Sequence, residues 1–222
     1  LLFKQSLELI NNAFNNEPSV VPGFFGSDQN GNIVAFSRGG SDITGSLCAS
    51  AIDADVYENW TDVSGFFMTD PRIVEDALNI EEVSYKELRE LSYMGAGVLH
   101  EESVFPVRKK GIPVHIKNTN SPKDKGTMII PVSKLSPHSR PITGVAGKKG
   151  FAVITIEKAR MNNEVGFARK ILTVLEEAHI SIEHMPTGID TLSIIVAEET
   201  LNGNTESIVE KLKEVSNADS IE

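Results

Sequence analysis

Short apolar runs alternate with segments of helical periodicity up to residue 116, and this alternation limits the fold more than any other feature. Strands are predicted at Val20 to Phe25, Ile33 to Phe36, Val56 to Val63 and Pro113 to Ile116. Helices are predicted at residues 4–16, from Ser41 to about Ile52, at 84–94 and at 97–110. Strands that alternate with helices form sheets whose neighbouring strands run parallel. The sequence therefore predicts an α/β unit with a largely parallel sheet.

The pattern changes after the polar turn from Ser136 to Pro141. A strand is predicted at Phe151 to Ile156, an amphipathic helix at 164–179, strands at Ile180 to Met185 and Leu192 to Ala197, and a helix at 205–215. With Glu222 opening a last strand, this is the βαββαβ order of the ferredoxin-like arrangement. We therefore predict two domains, residues 1–135 and residues 142–222.

Composition excludes several classes of protein. The formal net charge of −10 argues against a general nucleic-acid binder, which needs a basic face to replace the counterions of the phosphates. There is no apolar run near the roughly 20 residues that span a bilayer and no signal-peptide pattern, so we expect no membrane association. The single Cys48 excludes an internal disulfide framework, and the histidines and this cysteine lack zinc-ligand spacing. These features are typical of a cytoplasmic enzyme or sensor without a resident metal.

The sharpest local motif is Ser37-Arg38-Gly39-Gly40-Ser41-Asp42, which lies between a predicted strand and a predicted helix. The two glycines let the backbone turn tightly and approach a ligand. Ser41 and Asp42 stand at the helix start, where free N–H groups and the helix dipole favour an anion. Arg38 supplies a planar donor fork for a carboxylate or phosphate, and Asp42 would orient a catalytic lysine or a metal. The alternative is a tight turn in which Ser or Asp only caps the helix.

A second polar motif follows the next strand. Thr61-Asp62 lies at the carboxyl end of that strand, where ligands of open α/β sheets bind. With Thr69-Asp70-Pro71-Arg72 close behind, two aspartates and an arginine are suited to hold a nucleotide and its magnesium. The alternative is a loop in which Asp70-Pro71 starts a helix and Arg72 pairs with Asp70.

Taken together, these motifs resemble the aspartokinases over essentially the whole chain. The segment FSRGGSDITGSLCASAIDADVYENWTDVSGFFMTDPRIV is similar to the central signature of that family, with RGGSD, WTDV-G and TDPR in the same order and spacing. The segment SYMGAGVLHEESVFPVRKKGIPVHIKNTNSPKDKGTMI is similar to the part that closes its kinase domain. The resemblance implies an amino-acid-kinase fold, a mostly parallel sheet with helices on both faces. It also implies transfer of the ATP γ-phosphoryl group to the side-chain carboxylate of L-aspartate, the first step toward lysine, threonine and methionine.

The resemblance implies roles for individual residues. Asp42 would be the catalytic residue that organises the transfer. The aspartate-binding positions would be Arg38, Gly39, Gly40 and Ser41. The nucleotide-binding positions would be Thr61, Asp62, Phe67, Arg72, Gly97 and Val98. ATP would enter as its Mg²⁺ complex, and no tightly bound cofactor is expected.

The sequence also departs from the family pattern. Phe67 stands where a tyrosine is common, Gly97 where a lysine is common, and Glu101 follows His100 where many members have proline. The family opens with a Lys-Phe-Gly-Gly segment whose lysine stabilises the transferring phosphoryl group, and nothing in this sequence matches it. We therefore expect the chain to be a piece of a longer kinase and to be inactive by itself.

Residues from about 142 onward resemble an ACT domain, the amino-acid-sensing module that follows the kinase domain in this family. The effector-binding positions that this implies are Met161, Gly166, Phe167, Ala168, Ser181, Ile182, Glu183 and Thr187. Glu183 or Asp190 would meet the ammonium of lysine, the favoured effector, with threonine as the alternative. Pairing of such domains suggests a homodimer. The competing interpretation is that Met161, Phe167 and Met185 only form part of a hydrophobic core.

Two other functions stay open. Another amino-acid kinase of the same fold would act on glutamate or acetylglutamate, although the WTDV and TDPR motifs beside an ACT domain argue against it. A non-catalytic amino-acid-binding regulator would bind an effector without any affinity for a nucleotide, and the Arg38 turn would then be irrelevant. A bifunctional parent protein, with the kinase fused to homoserine dehydrogenase, also stays open.

Overall fold

The computed structural model of the chain describes residues 3–14, 17–36, 39–93, 101–137 and 142–222. The chain divides into two compact units, Leu1–Lys148 and Lys149–Glu222. Within the described ranges, no helix has the length and apolar content needed to cross a membrane.

The first unit contains four α-helices and six strands in its described residues. The helices are α1 (Phe3–Ala13), α2 (Gly40–Ala51), α3 (Tyr85–Tyr93) and α4 (Phe105–Lys110), the last preceded by a 3-10 turn at Glu101–Val104. The strands are β1 (Phe25–Ser27), β2 (Ile33–Ala35), β3 (Tyr57–Thr61), β4 (Glu82–Ser84), β5 (Val114–Asn118) and β6 (Thr127–Ile130). The predicted helices 4–16, 41–52 and 84–94 are confirmed apart from their ends. Residues 97–100 of the predicted helix 97–110 lie outside the described residues, and the rest of it forms the 3-10 turn and α4.

The main sheet of this unit has the order β3-β5-β6-β4. The β3–β5 and β4–β6 pairs are parallel, as expected of an α/β unit, whereas β5 and β6 are antiparallel. The antiparallel pair arises because β6 follows β5 after a short turn segment, which is too short for the crossover that a parallel pair needs. The sequence predicts neither β4 nor β6, since runs of three or four residues are too short to show a strand period.

The core of the first unit lies against one face of β3 and β5. Val114 and Ile116 of β5 are fully buried, and Ala49 of α2 and Val107 of α4 belong to the same cluster. Full burial of a valine or isoleucine side chain contributes about 1.5–3 kcal/mol. This packing fixes α2 against the sheet and so places the start of α2 beside β3.

The predicted strand from Val20 to Phe25 is wrong for most of its length. Residues 18–23 have no regular structure, and the strand β1 begins only at Phe25. Pro18 and Pro22 have no N–H group to donate to a ladder, and Val20 is 98% exposed, so its apolar side chain is not covered as in a half-buried strand. The predicted turn at Asn30-Gly31 is confirmed, because Gly31 N–H donates to the Asp28 carbonyl at 3.1 Å between β1 and β2.

The second unit is an antiparallel sheet with two helices. Its elements are β7 (Phe151–Glu157), α5 (Phe167–Glu177), β8 (Thr191–Ala197), α6 (Thr205–Ser216) and β9 (Ser220–Ile221), with 3-10 turns at Met161–Asn163 and Glu198–Leu201. The sheet order is β8-β7-β9. Ile156, Ile171, Ile194 and Leu212 are fully buried between the sheet and the helices. This element order is the one expected of a ferredoxin-like unit, with one strand altered.

The altered strand is the one predicted at Ile180 to Met185. It forms one isolated bridge to β8, between His184 and Ile195, and a second bridge follows just beyond it, between Thr187 and Leu192. The N–H groups of Glu183 and His184 both point to the Ile195 carbonyl, at 2.9 and 3.4 Å. Two residues therefore oppose one, which is the pattern of a β-bulge and breaks the ladder. The segment still occupies the sheet edge beyond β8 that the ferredoxin-like order assigns to it.

Glu164 makes the second unit sensitive to acid. Its carboxylate lies 2.5 Å from Lys158 Nζ and 2.7 Å from Lys170 Nζ, and the hydrogen bonds from these two lysines lower the pKa of Glu164 below its ordinary value. A depressed folded pKa gives stability that is present above the unfolded pKa, about 4.3, and is lost as the pH falls through the folded pKa. We expect Glu164→Gln to lower the thermal unfolding midpoint at pH 7, with a gap to the unchanged protein that closes as the pH is lowered below 4. Glu177→Gln, which removes an exposed carboxylate of α5, is the matched control, and a gap that stays constant between pH 7 and pH 3 would contradict the assignment.

Candidate active site

The start of α2 is a tight turn that only glycines allow. Gly39 has φ 82° and ψ 12°, in the left-handed region, and forms the N-cap of the helix. Gly40 is buried, and a Cβ atom there would lie 2.5 Å from the Phe36 Cβ and 3.0 Å from the Phe24 ring. Gly40 is therefore packed closely against Phe36 and Phe24, whereas the next residue of the first turn, Ser41, is exposed to solvent. Ser37 and Arg38 lie outside the described residues, so the predicted position of the guanidinium is not tested.

Asp42 is held in the first turn of α2 by two side chains of β3. Asn59 Nδ2 donates to Asp42 Oδ1 at 2.9 Å and to the Tyr57 hydroxyl at 3.1 Å. The Tyr57 hydroxyl in turn donates to the Asp42 carbonyl at 3.4 Å. Burial raises the pKa of Tyr57, the hydrogen bond from Asn59 opposes this, and the charge of Asp42 reinforces it. The hydroxyl therefore stays protonated at neutral pH and remains a donor.

Sequence reasoning missed Tyr57 and Asn59. The sequence contains a signal for them, because Tyr57 and Asn59 alternate with Glu58 and Trp60 and so share one face of the strand. In the structure Asn59 is buried, and Glu58 and Trp60 are exposed. A polar residue on the buried face of a strand requires a hydrogen-bond partner, and the partner here is Asp42.

Thr61 and Asp62 lie at the carboxyl end of β3, as predicted. Thr61 pairs in register with Asn118 of β5, and its carbonyl accepts the N–H of Thr119 at 2.8 Å. The Thr61 hydroxyl donates to Asp62 Oδ1 at 3.2 Å, and Asp62 is exposed. Residues two apart on a strand lie on the same face, about 7 Å from each other. Thr61 is therefore the next residue after Asn59 on that face, at the carboxyl end of β3. The face of β3 that contacts Asp42 through Asn59 is therefore the face that ends at Thr61.

A hydrogen-bond network joins the loops that follow β3 and β5. Ser64 Oγ donates to Asp124 Oδ2 at 2.5 Å and accepts from Asn118 Nδ2 at 2.8 Å. The Ser64 carbonyl accepts from Asn79 Nδ2 at 2.7 Å. Asn118 is 8% exposed, so this amide is a buried link rather than a surface contact. The network fixes the two loops that border the Thr61-Asp62 end of the sheet.

Phe67 and Arg72, two further predicted nucleotide positions, lie in the segment beyond this end. Phe67 is half-buried and forms an isolated bridge with Asn79. Arg72 makes a two-pronged contact with Asp70, with Nη2 2.7 Å from Oδ2 and Nε 3.0 Å from Oδ1, and this contact lowers the pKa of Asp70. The Arg72 side chain is 86% exposed, so the guanidinium faces solvent beside its partner. The segment after Asp70 forms turns rather than the helix that the alternative interpretation required, although the pairing with Arg72 is present.

Two of the predicted nucleotide positions, Gly97 and Val98, lie outside the described residues. Among the residues that are described, no group of three or more His, Cys, Asp or Glu side chains is arranged to hold a metal ion.

The predicted effector positions fall on two neighbouring parts of the second unit. Met161 and Phe167 are 6% and 4% exposed and belong to its core, while Gly166 has φ 81° and forms the N-cap of α5. The loop before α5 is tied to the turn before β8, because Arg160 N–H donates to Asp190 Oδ1 at 2.7 Å. One oxygen of Asp190, a candidate partner for an effector ammonium, is therefore engaged within the chain.

The remaining effector positions differ in exposure. Ala168, Ile182 and Glu183 are half-buried, and Ser181 and Thr187 are exposed. Ala168 and Ile182 pack against the core cluster. The predicted set thus contains both buried apolar residues and exposed polar residues. The burial of Met161 and Phe167 agrees with the competing interpretation that these two are core residues.

Comparison with known proteins adds independent findings. The sequence is 44% identical to aspartokinase 3 of Bacillus subtilis (strain 168) over 203 residues, which are 91% of this chain and 44% of that protein. The structure resembles the crystal structure of Clostridium acetobutylicum aspartate kinase with a TM-score of 0.89 and 54% identity, over 99% of this chain and 51% of that one. The chain therefore spans about half the length of these relatives.

Two crystal structures of Escherichia coli aspartokinase III are also similar. The complex with lysine and aspartate gives a TM-score of 0.68 at 27% identity, over 100% of this chain and 49% of that one. The complex with aspartate and ADP gives 0.67 at 26%, over 100% and 50%. The profile of the amino acid kinase family matches residues 2–118, which is 117 of the 222 residues. The chain belongs to the amino acid kinase family, and the relatives described here are aspartokinases.

Proposed function

We propose that the protein carrying this chain is an ATP-dependent aspartate kinase that converts L-aspartate and ATP to 4-phospho-L-aspartate and ADP. The observation that carries the proposal is the position of the Asp42 carboxylate in the first turn of α2, where Asn59 of β3 donates a hydrogen bond to it. Asn59 lies two residues before Thr61, at which β3 ends. Aspartate and ADP are bound by the related Escherichia coli enzyme. That relationship supports both the acceptor and the nucleotide.

The chemistry needs little more than positioning and charge stabilisation. A carboxylate oxygen of the substrate forms a bond to the γ-phosphorus while the bond from that phosphorus to the bridging oxygen breaks and ADP leaves. The first-turn N–H groups of α2 and the dipole of this helix favour the anionic substrate. Gly39, Gly40, Ser41 and Arg38 would bind aspartate, and Asp42 would organise the transfer.

The nucleotide would lie at the carboxyl ends of β3 and β5. Thr61, Asp62, Phe67, Arg72, Gly97 and Val98 are the proposed contacts. ATP would arrive as its magnesium complex, so the metal belongs to the substrate. Rotation of the exposed Arg72 away from Asp70 would free its donor fork for a phosphate.

The second unit is proposed to be an ACT domain that senses lysine. Lysine is bound by the related Escherichia coli enzyme, and the N-terminus of α5 is suited to the carboxylate of a free amino acid. Met161, Gly166, Phe167, Ala168, Ser181, Ile182, Glu183 and Thr187 are the proposed contacts. A cytoplasmic homodimer that pairs through these units is part of the same proposal.

The test is aspartate-dependent release of ADP by the whole protein, with and without lysine. We expect turnover with aspartate that lysine reduces, and none with glutamate or acetylglutamate in its place. Absence of turnover with aspartate would overturn the kinase assignment, and turnover with another acceptor would assign a different amino-acid kinase. Amino-acid binding without any nucleotide turnover would instead identify a regulator. Turnover that ignores lysine would overturn the effector alone.

A further inference from the structure

We infer that Asn59 is a positioning residue for Asp42, that the Tyr57 hydroxyl braces it, and that Gly45 makes room for that hydroxyl. The inference rests on the proposed function, because it assigns these residues to the orientation of the carboxylate that organises phosphoryl transfer.

The Asn59 amide is built into the protein and directed at Asp42. Asn59 is 8% exposed, on the face of β3 that packs toward α2. Its Nδ2 carries two hydrogens, one toward Asp42 Oδ1 at 2.9 Å and one toward the Tyr57 hydroxyl at 3.1 Å. Both donors of the amide nitrogen are therefore used within this cluster, which fixes the direction of the amide.

The Tyr57 hydroxyl closes the cluster on the helix backbone. It accepts from Asn59 and donates to the Asp42 carbonyl, so that Asp42 is held at both its side chain and its main chain. A glycine inside a helix is destabilising relative to alanine, yet Gly45 stands within α2. A Cβ atom at Gly45 would lie 2.6 Å from the Tyr57 hydroxyl and 2.9 Å from its ring carbon Cζ. The space that the missing Cβ leaves is the space that the tyrosine occupies.

A neutral amide suits this task better than a charged donor. It selects one orientation of the Asp42 carboxylate through Oδ1 and leaves the negative charge of that group intact. Oδ2 is then the oxygen that would face the reacting groups. A carboxylate that rotates freely would sample orientations in which neither oxygen serves the transfer.

The test is steady-state kinetics of the whole protein with Asn59→Leu, which keeps the size of the side chain and removes the donor. We expect kcat to fall about 10- to 100-fold, the loss typical of a misplaced catalytic group, with the KM values for aspartate and ATP little changed. Tyr57→Phe should lower kcat by less, because Asn59 still reaches Asp42. Gly45→Ala should resemble Tyr57→Phe, because the added methyl displaces the ring.

Ser84→Ala is the matched control. Ser84 is 1% exposed and donates to Glu87 Oε2 at 2.6 Å, so its loss also removes a buried hydrogen bond, but it lies on β4 at the opposite edge of the sheet. Its kcat should match that of the unchanged protein.

The outcomes separate the two proposals. An unchanged kcat in Asn59→Leu, an equal loss in Ser84→Ala, or a rise in KM at constant kcat would each overturn the positioning role while the kinase assignment stands. If Asn59→Leu does not fold, an unchanged kcat in Tyr57→Phe overturns it. Absence of aspartate-dependent turnover in the unchanged protein removes the proposed function, and the positioning role falls with it.

Discussion

Replacement of Asp42 by asparagine should lower kcat for aspartate-dependent ADP release by about 10²–10³-fold, a loss comparable to removing one electrostatic group from an active site. The variant keeps the shape of the side chain, and its carbonyl oxygen still accepts the hydrogen bond that Asn59 Nδ2 now donates to Asp42 Oδ1. What disappears is the negative charge through which Asp42 would organise the transfer in the proposed function. The loss should therefore appear in turnover rather than in folding.

Stability measurements complete this experiment. An acidic residue in the first turn of a helix contributes about 0.3–1 kcal/mol through the helix dipole, so Asp42→Asn should shift the unfolding midpoint only slightly. Asp55→Asn, which removes one exposed carboxylate between α2 and β3, is the control and should leave kcat unchanged. Equal activity of the two variants would exclude Asp42 from the chemistry.

Gly126→Ala should destabilise the first unit by roughly 2–6 kcal/mol. The position has φ +70°, where an alanine costs about 1–3 kcal/mol of backbone strain. Its Cβ atom would also lie 2.0 Å from the Ile116 carbonyl oxygen, and relief of such an overlap costs about 1–3 kcal/mol more. Because the obstacle is backbone of β5 rather than a flexible side chain, the turn between β5 and β6 has to open.

Urea unfolding followed by tryptophan fluorescence measures this effect. Trp60 is the single tryptophan of the chain and lies on β3, so the signal reports the first unit. Gly31→Ala is the control, since Gly31 has φ +83° but nothing within 4 Å of the added atom, and it should show the backbone strain alone. Equal losses in the two variants would show that the β5–β6 turn relaxes at no cost.

The sequence predicts the helices and strands that are long enough to show a periodic pattern of apolar residues. The helices α2 and α3 and the strands β3 and β5 are where pattern and motif placed them, and the Thr61-Asp62 motif lies at the end of its strand. The strands β4 and β6 were missed because each is too short to show alternation. The run at Val20 was misread because periodicity records apolar residues and not whether anything covers them, and Val20 is 98% exposed.

The sequence predicts which residues belong to the candidate site, but it does not predict the hydrogen bonds that connect them. Asp42 and Thr61 were both identified, but the contact that unites their surroundings runs through Asn59 and Tyr57. A hydrogen bond between residues 17 positions apart leaves no mark on local periodicity. The bulge at Glu183 and His184 was missed for a related reason, because an extra residue in a strand does not change its composition.

Strand β3 adjoins both the proposed aspartate-binding residues and the proposed nucleotide-binding residues, and this affects how substitutions in the two groups combine. The inner face of β3 contacts Asp42 through Asn59 and then ends at Thr61, so any change that shifts β3 would move the proposed aspartate side and the proposed nucleotide side together. Effects of paired substitutions across this strand should therefore be non-additive, as they are for residues that share partners. A substitution in β3 is thus expected to affect both proposed binding sites, and neither would be altered through β3 without altering the other.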